Sequence, residues 1–146
     1  EENFLENRQS IRPDITTYSS VINCCAYYSG DTEGQGDALQ IAMNTFNRMK
    51  EMGVAPNHIT YGTLFKAIAK LTKVGREREK VIAGLFEKCC EEGQVDSFVL
   101  SQIRGATPMK RFNQLVLSKC HQMGNKNTNQ DVVRNMPREW GRNVLE

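Results

Sequence analysis

Apolar residues along this chain recur at spacings of three and four. Tyr18, Val21, Ile22 and Cys25 fall at i, i+3, i+4 and i+7, and Tyr61, Leu64, Phe65 and Ile68 repeat the pattern. Each set forms one stripe along an α-helix. Two further stripes, Ala42 with Phe46 and Met49, then Ile82 with Leu85, Phe86 and Cys89, predict a second helix after each of the first. Gly53 and Gly93 stand where those second helices stop, suited to the left-handed conformation of a helix C-terminus. Pro13 and Pro56 keep the preceding helices from running on. No stretch alternates polar with apolar long enough to suggest a sheet. The fold class expected is all-α, built from antiparallel helix-turn-helix units.

The pattern is also a repeat. Ile15-Thr16-Thr17-Tyr18-Ser19 is echoed by His58-Ile59-Thr60-Tyr61-Gly62, each after a proline-containing link. Phe46 to Gly53, with Met49 between, has a weaker partner in Phe86, Cys89 and Gly93. The two tyrosines are 43 residues apart, longer than the roughly 34 residues of a helical-hairpin repeat. The excess falls in the polar, glycine-rich residues 29–37, read as a loop, and a smaller excess lies at residues 73–80. Insertions in such surface loops cost little.

The expected organisation runs as follows. Residues 1–14 end a preceding repeat, 15–57 and 58–96 are two repeats, 97–124 are a degenerate repeat with capping helices, and 125–146 are a polar linker with a C-terminal helix. Within 97–124, residues 97–104 form a short helix. Thr107 as N-cap and Pro108 then open another, carrying Phe112, Leu115, Val116, Cys120 and Met123, with Gly124 as its stop. Residues 137–144 form the last helix, with Trp140 and Val144 on one side. Trp140 reads foremost as an anchor on the core, with a base-stacking platform as the other option. The opening on Glu1, inside what reads as the end of a helix, suggests part of a longer protein.

Composition narrows the chemistry. The formal charge of +2 is uneven: residues 104–146 carry 8 basic against 3 acidic side chains, whereas residues 1–103 carry 11 against 14. A basic C-terminal third suits a polyanionic partner, but the charge alone decides nothing. The five cysteines include two adjacent pairs and no C-x-x-C spacing, so they read as small buried hydrophobes in a reducing compartment. Asp31 to Gly36 opens like a calcium loop, yet the twelfth place is Ala42 where a bidentate Glu is needed. His58 and His121 have no second ligand at metal spacing. Glu77 with Glu79 and Glu91 with Glu92 read as ordinary solvated charge. No phosphate loop, serine elbow or triad order appears. No enzyme activity, cofactor or metal is expected. No apolar run approaches the roughly 18 residues of a membrane span.

The Pro-Asp or Pro-Asn link, the Thr-Tyr helix start and the Phe-x-x-Met-x-x-x-Gly-Val-x-Pro ending make the chain resemble the pentatricopeptide repeat family. Pro137-Arg138-Glu139-Trp140-Gly141-Arg142-Asn143-Val144 is similar to a closing segment of algal members. The resemblance implies a right-handed α-solenoid that binds single-stranded RNA, each repeat reading one base with two or three side chains. It also implies a mitochondrial or plastid location and a part in RNA processing, stabilisation or translation. Carried over residue by residue, Ser19 and Asn57 are the base readers of the first unit, with Thr16 and Ile59 as flanking clamp. A small hydroxyl residue with Asn is the family's pairing for adenine, and an amide offers both donor and acceptor to match it. In the second unit the corresponding residues are Gly62, which has no side chain to read with, and Asp96 or Ser97. Val99 or Leu100 in the next unit reads nothing.

One reading of the residues is independent of the family. Gly62, Lys66, Lys70 and Lys73 lie at i, i+4, i+8 and i+11, beside the side that holds Ser19, Asn23 and Tyr27 in the first unit. Lysines, an amide and hydroxyls on one helix side suit a phosphodiester backbone, with Lys66 and Lys70 as the backbone contacts. Trimmed to its chemistry, the expectation is a passive RNA binder. The alternative is a protein-interaction scaffold gripping other proteins on its concave face. No membrane or small-molecule substrate is expected.

Overall fold

The structure is a computed structural model that describes residues 11–122 and 136–145, without the side chains of residues 120–122. The described residues form six α-helices: α1 Ile15–Ala26, α2 Thr32–Glu51, α3 His58–Leu71, α4 Arg76–Glu91, α5 Ser97–Ala106 and α6 Met109–Gln122. A 3-10 turn at Arg138–Gly141 follows. No strand occurs among the described residues, as the periodicity requires. Met123, Gly124 and residues 1–10 and 125–130 lie outside the described residues.

The odd-numbered helices stack side by side, α3 lying between α1 and α5, and the even-numbered helices pack behind them. That position explains the burial of α3. Tyr61, Leu64, Phe65, Ala67 and Ile68 are all at most 1% exposed. In α1 the stripe turns slightly from its expected line: Tyr18, Ser19, Ile22 and Ala26 are buried while Val21 is 40% exposed. Ala42, Phe46 and Met49 of α2 and Ile82, Leu85, Phe86 and Cys89 of α4 are buried as their spacing predicts.

The stops and starts follow helix-end chemistry. Gly53 (φ 77°) and Gly93 (φ 66°) are left-handed. Val54 N–H donates to Met49 O (2.9 Å) and Gly53 N–H to Lys50 O (3.0 Å), and the Gln94–Cys89 and Gly93–Cys90 pairs repeat this at the end of α4. These are Schellman ends, which satisfy carbonyls the helix leaves open. Asp14, Asp31, Asn57 and Asp96 each cap the helix that follows, accepting from the backbone N–H three residues on.

Three expectations change. Most of the glycine-rich residues 29–37 are helix, because Asp31 accepts from Gly34 N–H (2.9 Å) and starts α2 at Thr32. Glycine serves packing there: a Cβ on Gly34 would stand 1.8 Å from the Tyr28 hydroxyl. Thr107 ends α5 rather than starting α6, since its hydroxyl donates to Ile103 O (2.8 Å), and Pro108 O accepts the first bond of α6. Residues 137–144 are not a regular helix beyond the 3-10 turn. Their backbone is spent on the α4–α5 link instead: Val95 N–H donates to Trp140 O (2.7 Å) and Asn143 N–H to Gly93 O (2.9 Å). Trp140, 2% exposed, sets its ring edgewise against Phe86 (5.4 Å), so it anchors rather than offers a stacking face.

The cysteines divide. Cys89 and Cys90 are buried and Cys25 is half-buried, but Cys24 is exposed, against expectation. Burial pushes the Cys89 thiol up, which keeps it protonated and inert. Glu92 is likewise not ordinary solvated charge. It accepts from the hydroxyl of buried Tyr61 (2.7 Å) and faces Lys50 (3.6 Å).

Arg78 ties the stack together at its other end. The side chain is 7% exposed, and its guanidinium donates to Ala69 O (2.7 Å), Thr72 O and Ala106 O (3.3 Å), joining the ends of α3 and α5 to the start of α4. Replacing it strands buried carbonyls. Arg78→Met is expected to lower the unfolding free energy in urea by about 2–4 kcal/mol, with Arg78→Lys between it and the parent. A Met variant within about 0.5 kcal/mol of the parent would show that the guanidinium holds nothing.

Candidate RNA-binding site

The side-by-side stacking of α1 and α3 leaves a concavity of about 320 Å³ between their N-terminal halves. Thr16, Ser19, Asn57 and Ile59 all line it, together with Asn23 and Thr63 among others. Thr16 is exposed and Ile59 is 50% exposed, one from each helix, so an apolar and a methyl-bearing side chain face the space. Ser19 lies deeper, 9% exposed.

The floor is a network of hydrogen bonds. Asn57 Oδ1 accepts from Thr60 N–H (3.0 Å) and from the Thr60 hydroxyl (3.0 Å), while Asn57 N–H donates to Thr60 Oγ1 (3.3 Å). This is a capping box with threonine in the return position. Ser19 Oγ lies 2.9 Å from Thr60 Oγ1, which joins the two repeats through three side chains. The expectation that Asn57 offers both donor and acceptor is thereby altered. Its carbonyl is committed to α3, and its amide N–H₂ is the free end.

The groove continues along α1 and α3 to the lysines. Lys66 Nζ donates to Tyr27 Oη (2.8 Å) and lies 3.4 Å from Asn23 Oδ1. Lys66 and Lys70 stand 4.2 Å and 4.8 Å from the centre of the Tyr27 ring. Tyr27 itself is 62% exposed. The two ammonium groups are thus gathered on one aromatic ring, and the Lys66 hydrogen bond, with its charge, lowers the Tyr27 phenol below its usual range. Lys73 is exposed, and no contact ties it to this cluster among the described residues.

The corresponding place in the second repeat is built differently. Gly62 is buried beneath Phe98: a Cβ at Gly62 would stand 2.2 Å from the Phe98 ring. Asp96 has both oxygens engaged, Oδ1 by Val99 N–H (2.8 Å) and Oδ2 by His58 Nδ1 (2.6 Å). Gly62 is thus covered and Asp96 engaged, and neither lines the concavity between α1 and α3. Tyr27 stands on the groove side with Asn23, as its helical spacing predicts, whereas Thr60 and Phe98 were not singled out. Thr60 was legible as the third residue after Asn57, the capping-box spacing, and Phe98 as the aromatic in the same register as Thr16 and Ile59. Among the described residues no group of three or more His, Cys, Asp or Glu is placed to hold a metal.

The architecture defines a helical-repeat protein with a polar groove where neighbouring first helices meet. Residues 6–70 match the family model of the pentatricopeptide repeat domain, the family to which this part of the chain is similar. The match takes in α1, α2 and nearly all of α3, and with them the concavity and both groove lysines. No curated protein and no solved structure matches the chain.

Two measurements probe this geometry. Because Lys66 favours the phenolate, Lys66→Met should move the Tyr27 ionisation to higher pH in an ultraviolet difference titration, and Tyr27→Phe should remove that transition. An unmoved midpoint would show that the two groups do not meet in solution. At the second repeat, Gly62→Ser collides with Phe98, so Gly62→Ser and Phe98→Ala should be coupled. The double variant is expected to be more stable than the sum of the single effects by about 1 kcal/mol or more in urea unfolding, whereas strict additivity would place the ring elsewhere.

Proposed function

We propose that this chain binds single-stranded RNA and reads one base in the concavity between α1 and α3. Ser19 and Asn57 contact the base edge, Thr16 and Ile59 flank its faces, and Lys66 and Lys70 neutralise the adjoining phosphates. The observation that carries this reading is the convergence of Thr16, Ser19, Asn57 and Ile59 on one open concavity, with the lysine pair further along the same two helices. It is further supported by the pentatricopeptide repeat match, since such repeats as a class bind RNA, one base per repeat.

The division of labour follows from chemistry. Phosphate contacts position the strand and carry no sequence information, whereas edge contacts specify. Gathering two lysines on the Tyr27 ring places positive charge beside the base pocket before any strand arrives. The second repeat adds no edge contact in this reading, because Phe98 covers Gly62 and Asp96 is spent on His58 and on α5. Its part is to hold the far wall of the first site through α3 and to extend the strand's path. The cellular role that fits is organellar RNA processing, stabilisation or translation, in a mitochondrion or plastid, with the protein holding a transcript rather than altering it.

Filter binding of the full chain to single-stranded RNA libraries over a salt series tests the proposal. Affinity should fall with salt. Lys66→Met with Lys70→Met should weaken every sequence about equally and reduce the log–log salt slope by about 0.7 per lost phosphate contact. Ser19→Ala and Asn57→Asp should change base preference at one position only. Absence of salt-dependent RNA retention would overturn the reading and leave a protein-interaction scaffold as the use of the concave face.

A further inference from the structure

The hydrogen bonds on the floor of the concavity fix where their protons lie. A backbone N–H can only donate, so the Asn57 atom 3.0 Å from Thr60 N is the amide oxygen, and the amide nitrogen is the end left free. Thr60 Oγ1 also lies 3.0 Å from that oxygen. A proton must stand between them, and only the threonine hydroxyl can supply it. That hydroxyl has one proton. The proton between Ser19 Oγ and Thr60 Oγ1, 2.9 Å apart, therefore belongs to Ser19. Asn57 N–H, at 3.3 Å, adds a further donor to the same threonine oxygen. Turning the Thr60 hydroxyl to Ser19 would set its oxygen against the Asn57 oxygen with no proton between them, and flipping the amide would set two N–H donors face to face.

We infer that Thr60 is a positioning residue that sets the polarity of the reading pair, holding Ser19 as an acceptor and Asn57 as a donor toward the concavity. The inference rests on the RNA reading proposed above. Thr60 is fully buried beneath the residues that line the concavity, so it acts only through its two partners. Without it, the Ser19 hydroxyl is free to turn and serve as either donor or acceptor.

The fixed polarity has a defined selectivity. Consider a base placed with its exocyclic group on Ser19 and the neighbouring ring nitrogen on Asn57. Adenine presents an amino donor beside a ring-nitrogen acceptor, which complements an acceptor beside a donor. Guanine in the same placement presents a carbonyl beside a ring N–H, the reverse order at both atoms. The pair therefore favours amino bases over keto bases, and comparing two purines holds stacking nearly constant.

The test measures the affinity ratio of the full chain for single-stranded RNAs that differ only by adenine or guanine at the position sensitive to Asn57→Asp. The parent chain should favour adenine. Thr60→Val, which keeps shape and removes the hydroxyl, should lower the ratio about tenfold, with the salt slope unchanged. Thr60→Ser should restore it. Thr60→Cys, a weaker donor of similar volume, should fall between them and serves if the valine variant does not fold. Thermal melting run alongside separates a purely structural role, which would lower the melting temperature of Thr60→Val and leave the ratio alone. If the parent discriminates and Asn57→Asp shifts the preference while the threonine variants keep the parent ratio, the inference fails and the RNA reading stands. If the parent shows no base preference at any position, both fall.

Discussion

The structure depends on the burial of α3. A two-helix unit offers one apolar face and cannot cover it alone. Here α3 solves that by lying between α1 and α5, and nine of its 14 residues are buried. Its partners then fix everything else. The α1 contact makes the walls of the concavity, the α5 contact brings Phe98 over Gly62, and Tyr61 reaches back to Glu92 at the end of α4. Lys66 leaves the same helix on its open side and meets Tyr27. Hence the candidate site is not an addition to the fold; its walls and floor are the stacking contact itself.

Much of this was legible from residue order because helix-end chemistry and apolar spacing are local. The stripes through Tyr61 and Phe86 and the left-handed glycines each act within a few residues, and each stands where its spacing placed it. The errors arose where two local readings competed or where a distant partner decided. Gly34 and Gly36 looked like loop, because composition does not show that Asp31 can start a helix through glycine, nor that the Tyr28 ring needs the room. Thr107 could cap in either direction and chose the helix before it. Glu92 passed for surface charge because the Tyr61 hydroxyl, 31 residues away in sequence, is invisible to local spacing.

The candidate site divides in the same way. Ser19, Asn57, Thr16 and Ile59 were reached through a family resemblance rather than from spacing, and the fold brings them to one concavity. The lysine side was reached from helical periodicity alone. Neither route reached Thr60, whose contribution lies in a hydrogen bond across the repeat junction to Ser19, 41 residues away. A hydroxyl that is fully buried and bonded on several sides leaves no mark in composition or charge. The C-terminal residues taught the opposite lesson: Trp140 was read correctly as an anchor, but its backbone pairs with Val95 instead of forming a longer helix.

Asn57 begins a helix as well as facing the groove, and this limits how the position can evolve. A residue there must accept from Thr60 N–H or leave the first turn of α3 without its cap, at a cost of about 1 kcal/mol. The substitutions open to it are therefore the short oxygen-bearing ones, Asp, Ser and Thr, with glycine as a poorer compromise. Long or aromatic side chains lose that cap and carry its cost. The chemical vocabulary of this place is the vocabulary of N-caps, so what Asn57 can present to the groove without cost is drawn from a handful of residues.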